Sequence, residues 1–166
     1  MFSFKVSVKA LTWFLRFYPP LFLGGIWVEY IDPDYKTLRV RISKTLINSN
    51  ANGSIYGGSL YLATDPFYVV LFHQYFNQKG YTTKAWLKRA EIEYVTPAFG
   101  RVYFNFRIKE EDFQLAEDSL NRTGKYIRIH EVDGYNKKGE LCIRSKTEVY
   151  IRDLHFQNKG ENTPIS

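Results

Sequence analysis

The stretch from Gly58 to Phe76 restricts the fold more than any other part of the chain. After the glycine it reads Ser-Leu-Tyr-Leu-Ala-Thr-Asp-Pro-Phe-Tyr-Val-Val-Leu-Phe-His-Gln-Tyr-Phe, apolar almost all round a helical wheel. A helix without a wet face must be enclosed by other elements. At about 1.5 Å per residue it would run nearly 30 Å, the width of a small domain. Pro66 removes the N–H that would bond the carbonyl of Leu62. The helix is therefore expected to kink there, or to break and restart with Asp65 as its cap.

Period-two alternation supplies the enclosure. In Thr37–Ser43, Leu38, Val40 and Ile42 face one way. In Arg101–Ile108 the apolar set is Val102, Phe104, Phe106 and Ile108. In Leu141–Ile151 it is Leu141, Ile143, Val149 and Ile151, with Arg144, Lys146, Glu148 and Arg152 outward. Ile26–Ile31, Ala85–Val95 and Lys125–Val132 alternate less cleanly. Turn residues separate them at Asp32–Asp34, Thr96–Gly100 and Asn136–Gly139, and Glu110–Leu120 reads as a short helix. One-faced strands of this kind form antiparallel sheets. The expected fold class is α+β, a curved antiparallel sheet of about six strands wrapped around a long central helix. It is expected as a single domain over residues 1–155, with an N-terminal helix, and a flexible tail over 156–166.

Aromatic residues are 17% of the chain, so the core is coarse-grained or a groove is lined with rings. The net charge of +6 favours anionic partners, or serves solubility alone. The lone Cys142 excludes an intrachain disulfide and any cysteine-based metal cluster, which fits a reducing, cytoplasmic setting. Ala10–Gly25 is apolar, but Arg16 and Pro19–Pro20 interrupt it, so it is expected to dock as an amphipathic helix that stops before the prolines, without stable membrane insertion. His73, His130 and His155 lack ligand spacing, so no metal site is expected. The basic residues are scattered and form no RNA-binding signature, so nucleic acid is not the expected partner.

Two features of the central segment point to chemistry. Its start carries Asn48, Asn50, Asn52, Gly53 and Ser54, then Gly57–Gly58. Glycines let a ligand approach the backbone, and the free N–H groups of a helix start favour negative charge. An oxyanion forming on a thioester carbonyl would suit them, while a tight turn feeding a helix would look the same. The second feature is Asp65, a carboxylate in an apolar helix, costly unless something uses it. Gly57 and Asp65 are eight positions apart, or about 12 Å along a regular helix. If both act on one substrate, Asp65 comes from a second subunit, and a two-fold dimer carries two equivalent sites.

The run Asn50-Ala-Asn-Gly-Ser-Ile-Tyr-Gly57-Gly58-Ser-Leu-Tyr-Leu-Ala-Thr-Asp65 resembles the helix start of hotdog-fold acyl-CoA thioesterases of the phenylacetate-pathway type. It is most similar to an uncharacterised branch, domain of unknown function 4442, whose pattern combines Asn-x-Asn, Gly-Gly-Ser-Leu-Tyr and Asp-Pro-Phe-Tyr. The resemblance spans roughly residues 10–153. It implies a hotdog fold and hydrolysis of a medium- or long-chain acyl thioester, with coenzyme A as part of the substrate and no other cofactor. It further implies a homodimer that can pair into a dimer of dimers. The Gly57 N–H would hold the thioester oxygen, Asn50 would sit beside the carbonyl or the attacking water, and the partner's Asp65 would be general base or nucleophile. Tyr56, Gly58 and Ser59 would border the substrate, and Lys88 and Arg89 would meet coenzyme A phosphates, as would Arg101 or Lys137–Lys138. Family members often carry a His just before the glycine pair; Ile55 and Tyr56 stand there in this chain, so its role is lost or passes to Tyr56. The alternative on the same fold is a non-catalytic acyl-CoA or fatty-acid binder.

Overall fold

In the computed structural model, which describes residues 6–157, helices and strands alternate in the expected order. The chain runs α1 (Val8–Phe17), α2 (Pro19–Leu23), β1 (Ile26–Ile31), β2 (Thr37–Ser43), α3 (Gly57–Leu62) and α4 (Pro66–Gln78). It continues through β3 (Thr83–Tyr94), β4 (Arg101–Arg107), α5 (Glu110–Thr123), β5 (Lys125–Asn136) and β6 (Leu141–Asp153). The expected tail at 156–166 falls outside the described residues from position 158 onward. The N-terminal apolar stretch is two helices, because Pro19 and Pro20 occupy the first turn of α2, where a missing N–H costs nothing.

The central segment also breaks in two. Ala63 closes α3 with its N–H on the carbonyl of Ser59, and Thr64 bonds the carbonyl of Tyr61 through both N–H and hydroxyl. Pro66 then opens α4. Every residue of α4 except Pro66, Tyr75 and Gln78 is buried, as a helix apolar all round requires. Two of its polar members are paired: His73 Nδ1 with Thr83 Oγ1 at 2.9 Å, and Asn77 Nδ2 with His73 Nε2 at 3.1 Å.

All strand pairs are antiparallel, in one six-stranded sheet of order β1-β2-β4-β5-β6-β3. Its register breaks between Val28 and Tyr30, Leu87 and Arg89, and Gly134 and Tyr135. Bulges of this kind bend strands and strengthen twist, which curves the sheet about α4. Leu38, Val40, Ile42, Val102, Phe104, Phe106, Ile143, Val149 and Ile151 form the inner face, as their alternation predicts. This sheet with its enclosed helix is the hotdog architecture.

One ladder is short. β4 and β5 share only the pairs Val102–Asn136, Tyr103–Tyr135 and Phe104–Gly134. Beyond Phe104 the strands part, and α5 covers the opening with Phe113, Ala116 and Leu120 buried beneath it. Tyr68 of α4 reaches into the gap: its hydroxyl donates to the carbonyl of Glu131 at 2.6 Å. Tyr68→Phe leaves the Glu131 carbonyl without that donor and is expected to cost about 1–3 kcal/mol. Urea unfolding would show this as a lower midpoint at unchanged slope; an unmoved midpoint would mean that the seam is held by other contacts.

Candidate active site

A short loop leads into the glycine pair. Asn48 is buried and holds three backbone groups: its Oδ1 accepts from Thr45 N, and its Nδ2 donates to the carbonyls of Gly24 and Ser43. This fastens the loop to the ends of α2 and β2. Asn50 shapes the loop tip. Its Nδ2 donates to Ser54 Oγ at 2.8 Å, and its Oδ1 accepts from the N–H groups of Asn52 and Ser54. Ile55 is buried with its N–H on the carbonyl of Ala98, whereas Tyr56 is exposed.

Gly57 and Gly58 are then the first two residues of α3, positions whose N–H groups have no intrahelical acceptor. Tyr94, at the end of β3, donates its hydroxyl to the Gly57 carbonyl at 3.0 Å. A Cβ on Gly57 would meet the Tyr94 ring at 3.1 Å, and one on Gly58 would meet the Tyr56 ring at 2.5 Å. The glycines thus let two phenols close over the helix start. Burial, and then the neighbouring Tyr56, raises the Tyr94 phenol above its ordinary pKa. Sequence reasoning did not select Tyr94. Its only signal was a tyrosine at a strand end, and its position beside Gly57 depends on the sheet order.

Asp65 sits at the N-cap position of α4, but its backbone is helical and its side chain makes no cap hydrogen bond. The carboxylate is left available. It lines an apolar cavity of about 540 Å³ between α1–α2 and α4, together with Leu11, Phe14, Leu62, Val70 and His73. Burial raises its pKa above the ordinary 3.8. Tyr61 lies between the two features. Burial first, then the charges of Asp65 and Tyr94, raises its phenol. Tyr61, like Tyr94, was not singled out from the sequence.

Within one chain, then, Gly57 faces the end of β3 while Asp65 opens beneath α1 and α2. Ser59 belongs to the α3 backbone, its N–H on the Tyr56 carbonyl. Lys88 occupies the β3 bulge and pairs with Glu148 at 3.9 Å. Arg89 is exposed beside it, five residues before Tyr94 or about 17 Å along the strand, so these two do not border this chain's Gly57. Two other basic candidates do meet. Arg101 and Lys137 share with Lys44 an open cleft of about 700 Å³, which Phe99, Thr45 and Ser49 also line.

The sequence matches the family described as a domain of unknown function, DUF4442, over residues 8–151. No curated protein matches it. Its fold is similar to that of a Pseudomonas aeruginosa protein of unknown function described as a probable thioesterase. That likeness has 19% identity and a TM-score of 0.79, and covers 89% of this chain and 97% of the other. A thioesterase from Haemophilus influenzae is similar at 10% identity and a TM-score of 0.66, covering 92% and 95%. Zebrafish thioesterase superfamily member 2 is similar at 14% identity and a TM-score of 0.62, covering 87% and 98%. At these identities the likeness is one of fold.

Proposed function

We propose that this chain, which belongs to the DUF4442 family, hydrolyses acyl thioesters of coenzyme A. The observation that carries this reading is Asp65, an uncapped carboxylate opening into an apolar cavity and raised in pKa by burial. A carboxylate raised in pKa by burial and opening into a cleft is a candidate general base. The cavity volume suits a medium or long acyl chain, being within the range of small-molecule sites.

In the proposed reaction the thioester oxygen rests on the Gly57 N–H at the start of α3. The partner's Asp65 takes a proton from water as the water oxygen attacks the carbonyl carbon. The tetrahedral oxyanion is held at Gly57, then collapses; the carbon–sulfur bond breaks, and coenzyme A leaves as its thiol after taking up the proton. Direct attack by the carboxylate, followed by hydrolysis of an anhydride, uses the same residues. Tyr56 and Tyr94 flank the oxyanion position, where related proteins place a His. Asn50 acts as a positioning residue for the loop; a direct role would require its amide to exchange Ser54 for substrate. Lys44, Arg101 and Lys137 would receive the phosphates, with Phe99 beside them for the adenine; Lys88 and Arg89 would serve a site on a partner.

The dimer is supported by β3, which among the described residues pairs with β6 alone and leaves one side of a 12-residue edge strand unpaired, Tyr94 at its end. Pairing that edge antiparallel with a second copy about a two-fold axis would lay the helix start of each copy along the partner's β3, toward its Lys88 and Arg89. A dimer of dimers is the further assembly proposed.

Two measurements test the reading. Purified protein should release thiol from acyl-CoAs of graded length, with an optimum in the medium or long range. Ligand-induced thermal stabilisation without thiol release would instead favour the non-catalytic binder. The pH profile carries a second prediction. Asp65 must be ionised to act, and burial raises its pKa, so the acid limb of kcat/KM should lie above 3.8. A limb at or below that value would remove Asp65 as the base.

A further inference from the structure

We propose that the outer face of α1 and α2 docks on an anionic lipid bilayer, lying among the headgroups without crossing it. This goes beyond the thioesterase reading and does not depend on it. Leu11, Leu15 and Leu21 bury the inner side of the two helices. The outer side is not polar, as it would be on an ordinary surface helix. Trp13, Phe17, Tyr18, Phe22 and Leu23 are each 44–59% exposed. Trp13 stacks on Phe17 at 5.7 Å, and Phe17 touches Phe22 at 6.1 Å and Trp27 at 6.2 Å, so the rings form one continuous plate. Contiguous exposed apolar surface of this kind marks an interaction site.

Chemistry selects the occupant. Tryptophan, tyrosine and phenylalanine with flanking cations are the composition of a helix seated at a membrane interface. Lys9 is exposed on α1, and no Asp or Glu occurs among residues 1–28. Arg16 lies between the rings of Trp13 and Trp27, its guanidinium carbon 5.0 and 4.9 Å from their centroids, and donates to the carbonyls of Val28 and Glu29. It fixes α1 on β1 and keeps a positive charge at the plate. A second copy on this face would set Lys9 and Arg16 against their own counterparts, whereas anionic headgroups complement them. No described helix is long and apolar enough to span a membrane, and α1, at about 15 Å, can only lie along the surface. Tyr18 and Phe14 also line the cavity that holds Asp65, so the docked face adjoins the proposed acyl site. That link and the turnover control rest on the thioesterase reading; the vesicle measurements do not.

The test is sedimentation of the full chain with vesicles of phosphatidylcholine, with and without phosphatidylglycerol. Binding to the anionic vesicles is expected to be at least about tenfold tighter and to fall with salt. Trp13→Ser/Phe17→Ser/Phe22→Ser should weaken it at least about tenfold. Lys9→Glu, with the rings intact, should weaken it about fivefold or more. Neither variant should alter turnover of a water-soluble short-chain acyl-CoA, which separates docking from chemistry. If the triple variant fails to fold, the unmodified protein decides: its tryptophan emission should shift to the blue with anionic vesicles and be quenched by brominated lipid. No anionic preference, no spectral shift, or a folded triple variant that binds as before would overturn the proposal. So would a plate that proves to be a protein interface, seen as a smaller assembly by light scattering in the triple variant without vesicle binding by the parent.

Discussion

Asp65→Asn should lower acyl-thioester hydrolysis by about 100-fold or more while leaving ligand affinity within about threefold. Asparagine keeps the size and shape of the side chain but cannot take a proton from water or attack a carbonyl. The loss corresponds to about 2.7 kcal/mol of transition-state stabilisation. Because binding would rest on the apolar cavity and the basic cleft, the ground-state complex should persist. Stability supplies the control. Burial already disfavours the ionised carboxylate, and its side chain caps nothing, so the variant should melt no lower than the parent near neutral pH. A variant that folds, binds acyl-CoA and still turns over at the parental rate would remove Asp65 from the mechanism. A parent that binds but never turns over would leave Asp65 as part of a binding site.

The second large effect is on stability against pH, and it concerns His130. This residue is 7% exposed on the inner side of β5, with the rings of Tyr68 and Phe72 at 5.0 and 5.1 Å and the hydroxyl of Tyr126 at 3.4 Å from its Nε2. Burial pulls its pKa from 6.5 down to about 4; Asp112 opposes the shift and Arg128 adds to it. Between these two values the unfolded chain takes up a proton that the folded chain refuses. Stability should therefore fall as pH falls through that window and be unaffected by this group above it. The full loss is about 3 kcal/mol, a large share of a small domain's stability. Urea midpoints measured across the window should decline in the parent and stay nearly level in His130→Leu. An equal decline in both proteins would assign the acid sensitivity to other groups.

Much of this fold was legible because its elements bury one face or none. The bounds of β1 and β2 coincide with those read from alternation, and α4 is buried all round as its composition requires. In β6 the pattern was incomplete: Ser145 and Thr147 also point inward, fully buried, and Thr147 satisfies its hydroxyl on the His130 carbonyl. Alternation by polarity cannot reveal a buried hydroxyl whose partner lies on another strand. The proline break was legible as one of two outcomes; its effect on Asp65 was not, because a residue before proline reads as a cap until its side chain is seen to make no such bond. Tyr94 and Tyr61 were hidden for a different reason. Their proximity to Gly57 and Asp65 depends on where β3 lies in the sheet, a relation with no local pattern. Tyr68 read as core, and only the parted strands expose its second task.

The short ladder between β4 and β5 also bears on how this chain can change over evolutionary time. Strands β1, β2 and β4 form one leaf of the sheet, and β5, β6 and β3 the other. Few backbone bonds cross between them. Their opening angle is set by what is wedged inside, the hydroxyl of Tyr68 and the buried face of α5. Exchange of a few side chains there could widen or narrow the space around α4 without unpicking a strand. Descendants of this sequence could thus be refitted to larger or smaller guests by substitution at the wedge, while the register of each leaf stayed as it is.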